Sequence, residues 1–322
     1  MFRISRPVWA ALLAGEALAG PSLPPADRSS MKFIEAQGVK VHVAQWGAGD
    51  PILLIHGASS DMDVFQPTVI PLLQDRYQLS AYDRPGMGFT PERPPKAETL
   101  AVQAKVAADV IEAIGLQKPI ILAHSYGGAV ALRLALERPD LISGLVLIAP
   151  LAYDWPGGVS WYLHWSANPL IGGLFNLAAQ PFTEAAARDG VKGTFFPRIP
   201  PDDYFETASV ARATTPAAMR SNGLDLLAAK REVTAQQDRY RKIIVPVAIM
   251  VGDGDTVVSP SIHAAHLATA LSDVRLEVVD GAGHVPHEAE PQRLDALIRW
   301  VRVQAQGQAQ VDASAPVPRP RN

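Results

Sequence analysis

Cysteine is absent from the 322 residues of this chain. Its absence excludes disulfide bonds, catalysis by a thiol and a zinc site with thiolate ligands. A strong excess of charge is also lacking, because 29 basic and 32 acidic residues leave a net charge of −3. A chain so close to neutral has no electrostatic footprint for nucleic acid, and we expect no nucleic-acid partner.

The N-terminal segment lacks an apolar run long enough to span a bilayer. Two arginines precede a short apolar stretch, residues 7–15, and Ala17–Ala19 fits a small-x-small cleavage site. This pattern is typical of a secretory signal peptide, so residues 1–30 are predicted to be a signal peptide and leader. Removal of residues 1–19 would make the protein periplasmic or secreted. If Met31 is instead the true start, or the segment is an uncleaved surface helix, we expect a cytoplasmic protein.

Strand-like and helix-like segments alternate along the rest of the chain. This alternation predicts an α/β fold with a mostly parallel, eight-stranded sheet and helices on both faces. It breaks over residues 151–241, which are rich in tryptophan, proline and short helical patterns and are predicted to form an inserted helical domain. The core would then comprise residues 31–150 and 242–305. Residues 306–322 are predicted to be a disordered tail.

Polar motifs stand where several of the predicted strands end, and parallel sheets place functional residues at these carboxyl ends. Ser125 follows one apolar run, and a helical pattern begins directly after it. So sharp a strand-to-helix turn pushes the hydroxyl out above the sheet, which is the geometry of a nucleophile. The helix N-terminus points backbone N–H groups at whatever the hydroxyl attacks.

A serine hydroxyl needs a base to take its proton, and the base needs an acid to orient it. We predict that His284, in a glycine-rich loop after the last strand, is the base. Asp255, which follows the preceding strand, is the predicted acid, with Asp253 and Asp154 as alternatives. His287 lies three residues after His284, but no carboxylate spacing supports a metal pair, so no metal site is predicted.

The chain from about Met31 to Val303 resembles the cap-bearing group of the α/β-hydrolase superfamily. Five motifs in family order carry the resemblance: His56-Gly57-Ala58-Ser59, Asp83-Arg84-Pro85-Gly86-Met87-Gly88, His124-Ser125-Tyr126-Gly127-Gly128, Gly252-Asp253-Gly254-Asp255 and Gly283-His284.

The resemblance implies a function for particular residues. Ser125 would be the nucleophile, His284 the base and Asp255 its orienting acid. The backbone N–H groups of Ala58 and Tyr126 would form the oxyanion hole, and the inserted domain would be a cap over the pocket.

One position departs from the family pattern. The family usually has glycine two residues before the serine, and this chain has Ala123. One extra methyl group should leave the turn intact with slight strain. Serine rather than aspartate at the turn also argues against relatives that open epoxides or displace halide through an alkyl-enzyme ester.

These features predict a cofactor-free serine hydrolase of the esterase type that cleaves a small or medium carboxylic ester or lactone. The substrate would be a small molecule with an apolar acyl or alcohol group. Trp161, His164 and Trp165 are candidate pocket residues, although such aromatic side chains also fill the core of an insertion. Two alternatives share these motifs: a carbon–carbon bond hydrolase or perhydrolase-type relative, and a ligand receptor with little or no turnover.

Overall fold

The computed structural model describes residues 32–314. The predicted signal peptide and leader lie outside the described residues, as do residues 315–322. Eight strands form one sheet, and their bounds are β1 Lys32–Ala36, β2 Val39–Trp46, β3 Asp50–Ile55, β4 Tyr77–Tyr82, β5 Ile120–His124, β6 Gly144–Ile148, β7 Val247–Gly252 and β8 Val274–Val279.

The sheet has the strand order β1-β2-β4-β3-β5-β6-β7-β8. The pairs β1–β2 and β2–β4 are antiparallel, and every other neighbouring pair is parallel. The predicted mostly parallel, eight-stranded sheet is therefore confirmed. Strands β3 to β8 all point the same way, so their carboxyl ends meet at one edge.

Ten α-helices accompany the sheet in the described part of the chain. They are α1 Val69–Leu73, α2 Leu100–Ala113, α3 Tyr126–Glu137, α4 Trp161–Ala167, α5 Gly172–Phe195, α6 Tyr204–Thr207, α7 Pro216–Gln237, α8 Ala264–Ala270, α9 Pro286–Ala289 and α10 Pro291–Ser314. Within residues 32–314, none of them is both long and apolar enough to cross a membrane.

The core consists of two apolar layers, one on each face of the sheet. Leu53 and Ile55 of β3 pack into the layer that contains α2, α3 and α8, whereas Ile52 and Leu54 pack into the layer with α1 and α10. Successive side chains of a strand point to opposite faces, so a strand covered on both faces must be apolar throughout. This burial explains why β3 appears in the sequence as a continuous apolar run.

Helices α4 to α7 all lie in the segment 151–241, which contains no strand. This segment, between β6 and β7, is called the helical insertion below. Helix α7 begins at a capped N-terminus, because the Thr215 hydroxyl accepts from the Ala218 N–H at 3.4 Å and Pro216 occupies the first turn. The insertion thus joins the core at the carboxyl end of β6, the same edge at which the polar motifs were predicted.

The C-terminal tail differs from its prediction. Helix α10 continues to Ser314, so the disordered tail predicted for residues 306–322 is wrong for residues 306–314. The physical reason is composition: alanine and glutamine form helices readily, even without an amphipathic pattern. Contacts with the core add to this, because the Gln308 side-chain amide donates to the Ile244 carbonyl at 3.4 Å and to Asp273 at 3.3 Å.

Candidate active site

Ser125 occupies the turn between β5 and α3. Its φ of +53° and ψ of −119° are unusual for a residue with a side chain. Hydrogen bonds hold the turn: the Ser125 N–H donates to Ile148 at 2.9 Å, and the Ser125 carbonyl accepts from Gly128 and Leu151 at 2.9 and 3.1 Å. The side chain stays partly exposed, as a nucleophile that must reach a substrate requires.

The turn depends on close backbone approach. A Cβ at Gly127 would lie 2.4 Å from the Ile55 carbonyl oxygen and 2.7 Å from that of His56, so α3 starts directly against the end of β3. Ala123 is fully buried in β5 and lies in register with Ile55 and Leu147 of the neighbouring strands. The predicted turn therefore forms with alanine where the family usually has glycine.

His284 is held by Asp255 through a hydrogen bond of 2.8 Å from Nδ1 to Oδ2, and both side chains are buried. The other oxygen of Asp255 accepts from the backbone N–H groups of Val257 and Val258 at 2.7 and 2.9 Å. A carboxylate fixed in this way keeps the proton of a neutral His284 on Nδ1. Nε2 is then free to accept a proton.

The two alternative acids make different contacts. Asp154 is 44% exposed and pairs with Lys230 at 3.2 Å. Asp253 accepts from the Gly281 N–H at 2.7 Å, so it supports the loop that carries His284 rather than the imidazole itself. The geometry therefore favours Asp255 as the partner of His284.

The backbone of His284 ties its loop to two other parts of the molecule. Its N–H donates to the Thr194 carbonyl of α5 at 2.7 Å, and its carbonyl accepts from His124 Nε2 at 3.1 Å. The rings of His124 and His284 lie 4.8 Å apart. Because His124 precedes Ser125 in the chain, these contacts bring His284 beside the turn.

Two of the histidines around this site, His124 and His287, are kept neutral. Burial lowers the pKa of His124 well below its usual range, and the neighbouring His284 adds to the effect. Burial also lowers the pKa of His287 to about 3. In the described residues, no hydrogen bond joins the Ser125 hydroxyl to His284 directly; such bonds often tighten only when substrate is bound.

The loop after β3 lies against the turn, since a Cβ at Gly57 would be 3.1 Å from Ser125 Cβ. Ala58 follows in this loop, and its N–H makes no hydrogen bond among the described residues. Tyr126 is the first residue of α3, so its N–H has no partner within that helix. The structure thus brings both predicted donors to the neighbourhood of Ser125.

The three candidate pocket residues all lie on α4. Trp161 and Trp165 are 54% and 50% exposed, and their rings pack near Phe175 of α5 at centroid distances of 6.5 and 6.2 Å. His164 is also exposed. Among the described residues, no hydrogen bond or ring contact joins them to Ser125 or His284, and their role in a pocket stays a prediction.

Sequence reasoning missed three side chains that support the loop after β3. Arg84 lies at the end of β4, and Asp225 and Asn222 lie on α7 in the helical insertion. Arg84 belongs to one of the polar motifs at strand ends, so its position in the sequence indicated a role near the site. Nothing in the local sequence marked the other two.

A mostly parallel sheet with a serine at a strand-to-helix turn, followed along the chain by an aspartate and a histidine at later strand ends, defines an α/β hydrolase. The family described as "alpha/beta hydrolase fold" matches residues 50–291. The chain belongs to this family.

Similar proteins include enzymes with different substrates. The 2-(acetamidomethylene)succinate hydrolase of Mesorhizobium japonicum is 25% identical over 274 residues, covering 83% of this chain and 94% of that protein. The pimeloyl-[acyl-carrier protein] methyl ester esterase of Neisseria meningitidis serogroup A is 29% identical over 270 residues, or 77% of this chain and 75% of that protein.

Solved structures share the fold at lower identity. A thermophilic esterase from Thermogutta terrifontis superposes with a TM-score of 0.69 at 20% identity, covering 86% of this chain and 100% of that chain. At this level of identity the likeness concerns the fold.

Proposed function

We propose that the protein is a cofactor-free serine hydrolase that cleaves a small or medium carboxylic ester or lactone. The observation that carries the proposal is the group of Ser125, His284 and Asp255. Ser125 stands on the turn after β5, and the imidazole beside it is fixed by a buried carboxylate at 2.8 Å. This arrangement supplies a nucleophile, a base and an orienting acid.

In the proposed reaction, Ser125 Oγ attacks the carbonyl carbon while His284 Nε2 takes the hydroxyl proton. The tetrahedral intermediate collapses, and the alcohol leaves with the proton from His284. Water then attacks the acyl-enzyme, again with His284 as base, and the acid is released with Ser125 restored. The N–H groups of Ala58 and Tyr126 would hold the oxyanion, and removal of one such donor in other enzymes costs about 10²–10³ in rate.

Two further observations support ester chemistry. Serine at the turn favours acyl transfer over reactions that need a carboxylate nucleophile there. One relative that covers most of this chain is a methyl ester esterase. The helical insertion would serve as a cap, because the end of α5 contacts the His284 loop through the Thr194 carbonyl.

The test is the release of p-nitrophenol from esters of increasing acyl length, measured for wild type and for Ser125→Ala. Ser261→Ala, at an exposed serine, is the matched control. We expect turnover that disappears only in Ser125→Ala, with a chain-length optimum that measures the acyl pocket. A folded wild-type protein that hydrolyses none of the esters and is not labelled at Ser125 by a fluorophosphonate would refute the proposal.

A further inference from the structure

The peptide group between Gly57 and Ala58 has two ends with different surroundings. Its N–H, on Ala58, is a proposed oxyanion donor. Its carbonyl, on Gly57, points the opposite way, because a trans peptide is planar and its C=O and N–H are antiparallel. Whatever holds the Gly57 carbonyl therefore also sets the direction of the Ala58 N–H.

The Gly57 carbonyl is firmly held. It accepts from Arg84 Nη2 at 2.9 Å, from His56 Nδ1 at 2.9 Å and from the Ser60 hydroxyl at 3.3 Å. His56 is fixed in turn, because its Nε2 accepts from the Arg84 N–H at 2.9 Å and burial keeps its pKa well below the usual range. The bond from Arg84 is charge-assisted and is therefore the strongest of the three.

Arg84 is completely buried, and a carboxylate of the helical insertion balances its positive charge. Its Nη1 donates to Asp225 of α7 at 2.8 Å, and its guanidinium lies 4.5 Å from the centre of the Tyr126 ring. Arg93 donates to the other oxygen of Asp225 at 2.7 Å. Two cations thus share one carboxylate. A buried cation without such a partner would be strongly unfavourable.

A second contact from α7 reaches the same loop one residue further on. Ser59 has a φ of +52°, which is strained for a residue with a side chain. Its N–H donates to Asn222 Oδ1 at 2.8 Å, and Asn222 Nδ2 donates to its hydroxyl at 2.9 Å. Asn222 is almost fully buried. The loop is therefore fixed on both sides of Ala58 by residues that α7 carries or holds.

We infer that Arg84, held by Asp225, and Asn222 are positioning residues of the oxyanion hole, so that the helical insertion sets the direction of the Ala58 N–H. The inference rests on the proposed function, because it gives that N–H its task. If the inference is right, the helical insertion controls the stability of the transition state as well as access to the pocket.

The experiment compares an ester with its thionoester analogue, in which sulfur replaces the carbonyl oxygen. Sulfur is a weak hydrogen-bond acceptor, so the thionoester gains little from the oxyanion donors. The measured quantity is the ratio of kcat/KM for the ester to kcat/KM for the thionoester. A loss of folded or active enzyme lowers both rates equally and leaves this ratio unchanged.

Three variants carry the test. Arg84→Lys keeps the charge but lacks the planar fork that contacts Gly57 and Asp225 together. We expect its kcat for the ester to fall about 10- to 100-fold with a small change in KM, and the ratio to fall about tenfold or more, because a donor is displaced rather than removed. Asn222→Ala should change the ratio in the same direction. Asn222→Asp should keep the wild-type ratio, since a carboxylate accepts from both the N–H and the hydroxyl of Ser59.

The control is Lys230→Met on the same helix. Lys230 bonds to the Trp155 and Gly157 carbonyls, away from the loop, and its loss should leave the ratio unchanged. If Arg84→Lys fails to fold, Asn222→Ala decides the question alone.

Failures of the two proposals are distinguishable. A wild-type protein without Ser125-dependent turnover refutes the proposed function together with this inference. Ser125-dependent turnover with a wild-type ratio in folded Asn222→Ala refutes the inference alone.

Discussion

The Asp255 carboxylate accepts hydrogen bonds on both oxygens, from His284 on one and from the backbone after β7 on the other. Asparagine would match its shape but lose the charge, and its amide would favour the wrong tautomer of the imidazole. We therefore expect Asp255→Asn to fold normally and to lower kcat for p-nitrophenyl esters by up to about 10⁴-fold. Steady-state kinetics and circular dichroism measure the two parts of this prediction.

Asp154→Asn is the matched control, because Asp154 is one of the two alternative acids and pairs with exposed Lys230. It should retain nearly all activity. The assignment of Asp255 fails if Asp154→Asn is the inactive variant and Asp255→Asn is not.

Residues of the site differ in how far sequence could reveal them. Ser125, Asp255 and His284 each stand at a strand end in a recognisable order, so the sequence could predict them as a group. The structure pairs His284 with Asp255 and places its ring beside His124, the neighbour of Ser125, and the roles of the three residues stay a proposal. The pair of Arg84 and Asp225 is separated by 141 positions. A buried ion pair between two such distant residues leaves no periodic signal, and it emerges only when the insertion folds onto the core.

Helix α9 carries a buried acid directly after the His284 loop. Glu288 is 5% exposed at its side chain, accepts from the Thr68 hydroxyl at 2.5 Å and has the buried His287 beside it. Burial raises the pKa of Glu288 to about 7, and the Thr68 bond offsets part of this rise. Burial also keeps His287 neutral, so this neighbour does not favour the ionised carboxylate.

The pH dependence of stability follows from this rise. Below the pKa of an unfolded glutamate, about 4.3, the carboxyl is protonated in both states. As the pH increases, only the unfolded state ionises at first, so stability is lost until the pH passes the folded pKa of about 7. The free energy of unfolding of Glu288→Gln, relative to that of wild type, should therefore increase by about 2–3 kcal/mol from pH 5 to pH 8.

Urea unfolding at the two pH values measures this gain. Glu290→Gln, two residues along and 42% exposed at its side chain, is the control and should show no such trend. Equal pH trends in wild type and Glu288→Gln would contradict the burial of an uncompensated carboxyl in α9.

Elements of the core were easier to predict than those of the insertion. Strand β5, Ile120–His124, is the apolar run that ends at Ser125, and a short apolar run between polar turns is a clear strand signal. Helix α5 spans Gly172–Phe195 with Pro181 and glycines inside it, which are residues that usually interrupt helices. Contacts of α5 with α4 and α7 support it, and such tertiary support is invisible in a local pattern.

Across the whole molecule, the helical insertion is joined to the core by ion pairs that sequence could not anticipate. Arg212, in a 3-10 turn of the insertion, contacts Asp61 through Nε at 2.6 Å and Nη2 at 3.0 Å, and it also pairs with Asp63. Ser209 adds a hydrogen bond to Asp63 at 2.9 Å. Both aspartates lie in the core between β3 and α1, just after the loop that carries Ala58. Loss of Arg212 would leave the buried Asp61 carboxylate without a cationic partner, with only the Asp63 N–H still donating to it at 2.9 Å.

Arg212→Met should therefore promote local opening of residues 204–215 while the sheet stays folded. Removing one partner of a buried ion pair costs about 3–5 kcal/mol, so we expect cleavage in this segment by a nonspecific protease to accelerate at least about tenfold. Mass spectrometry of the early fragments measures the site and rate. Lys192→Met is the control, because Lys192 pairs only with Asp189 among the described ion pairs, and both exposed side chains lie on α5, outside residues 204–215. Similar cleavage rates in the two variants would show that Arg212 does not hold the insertion to the core.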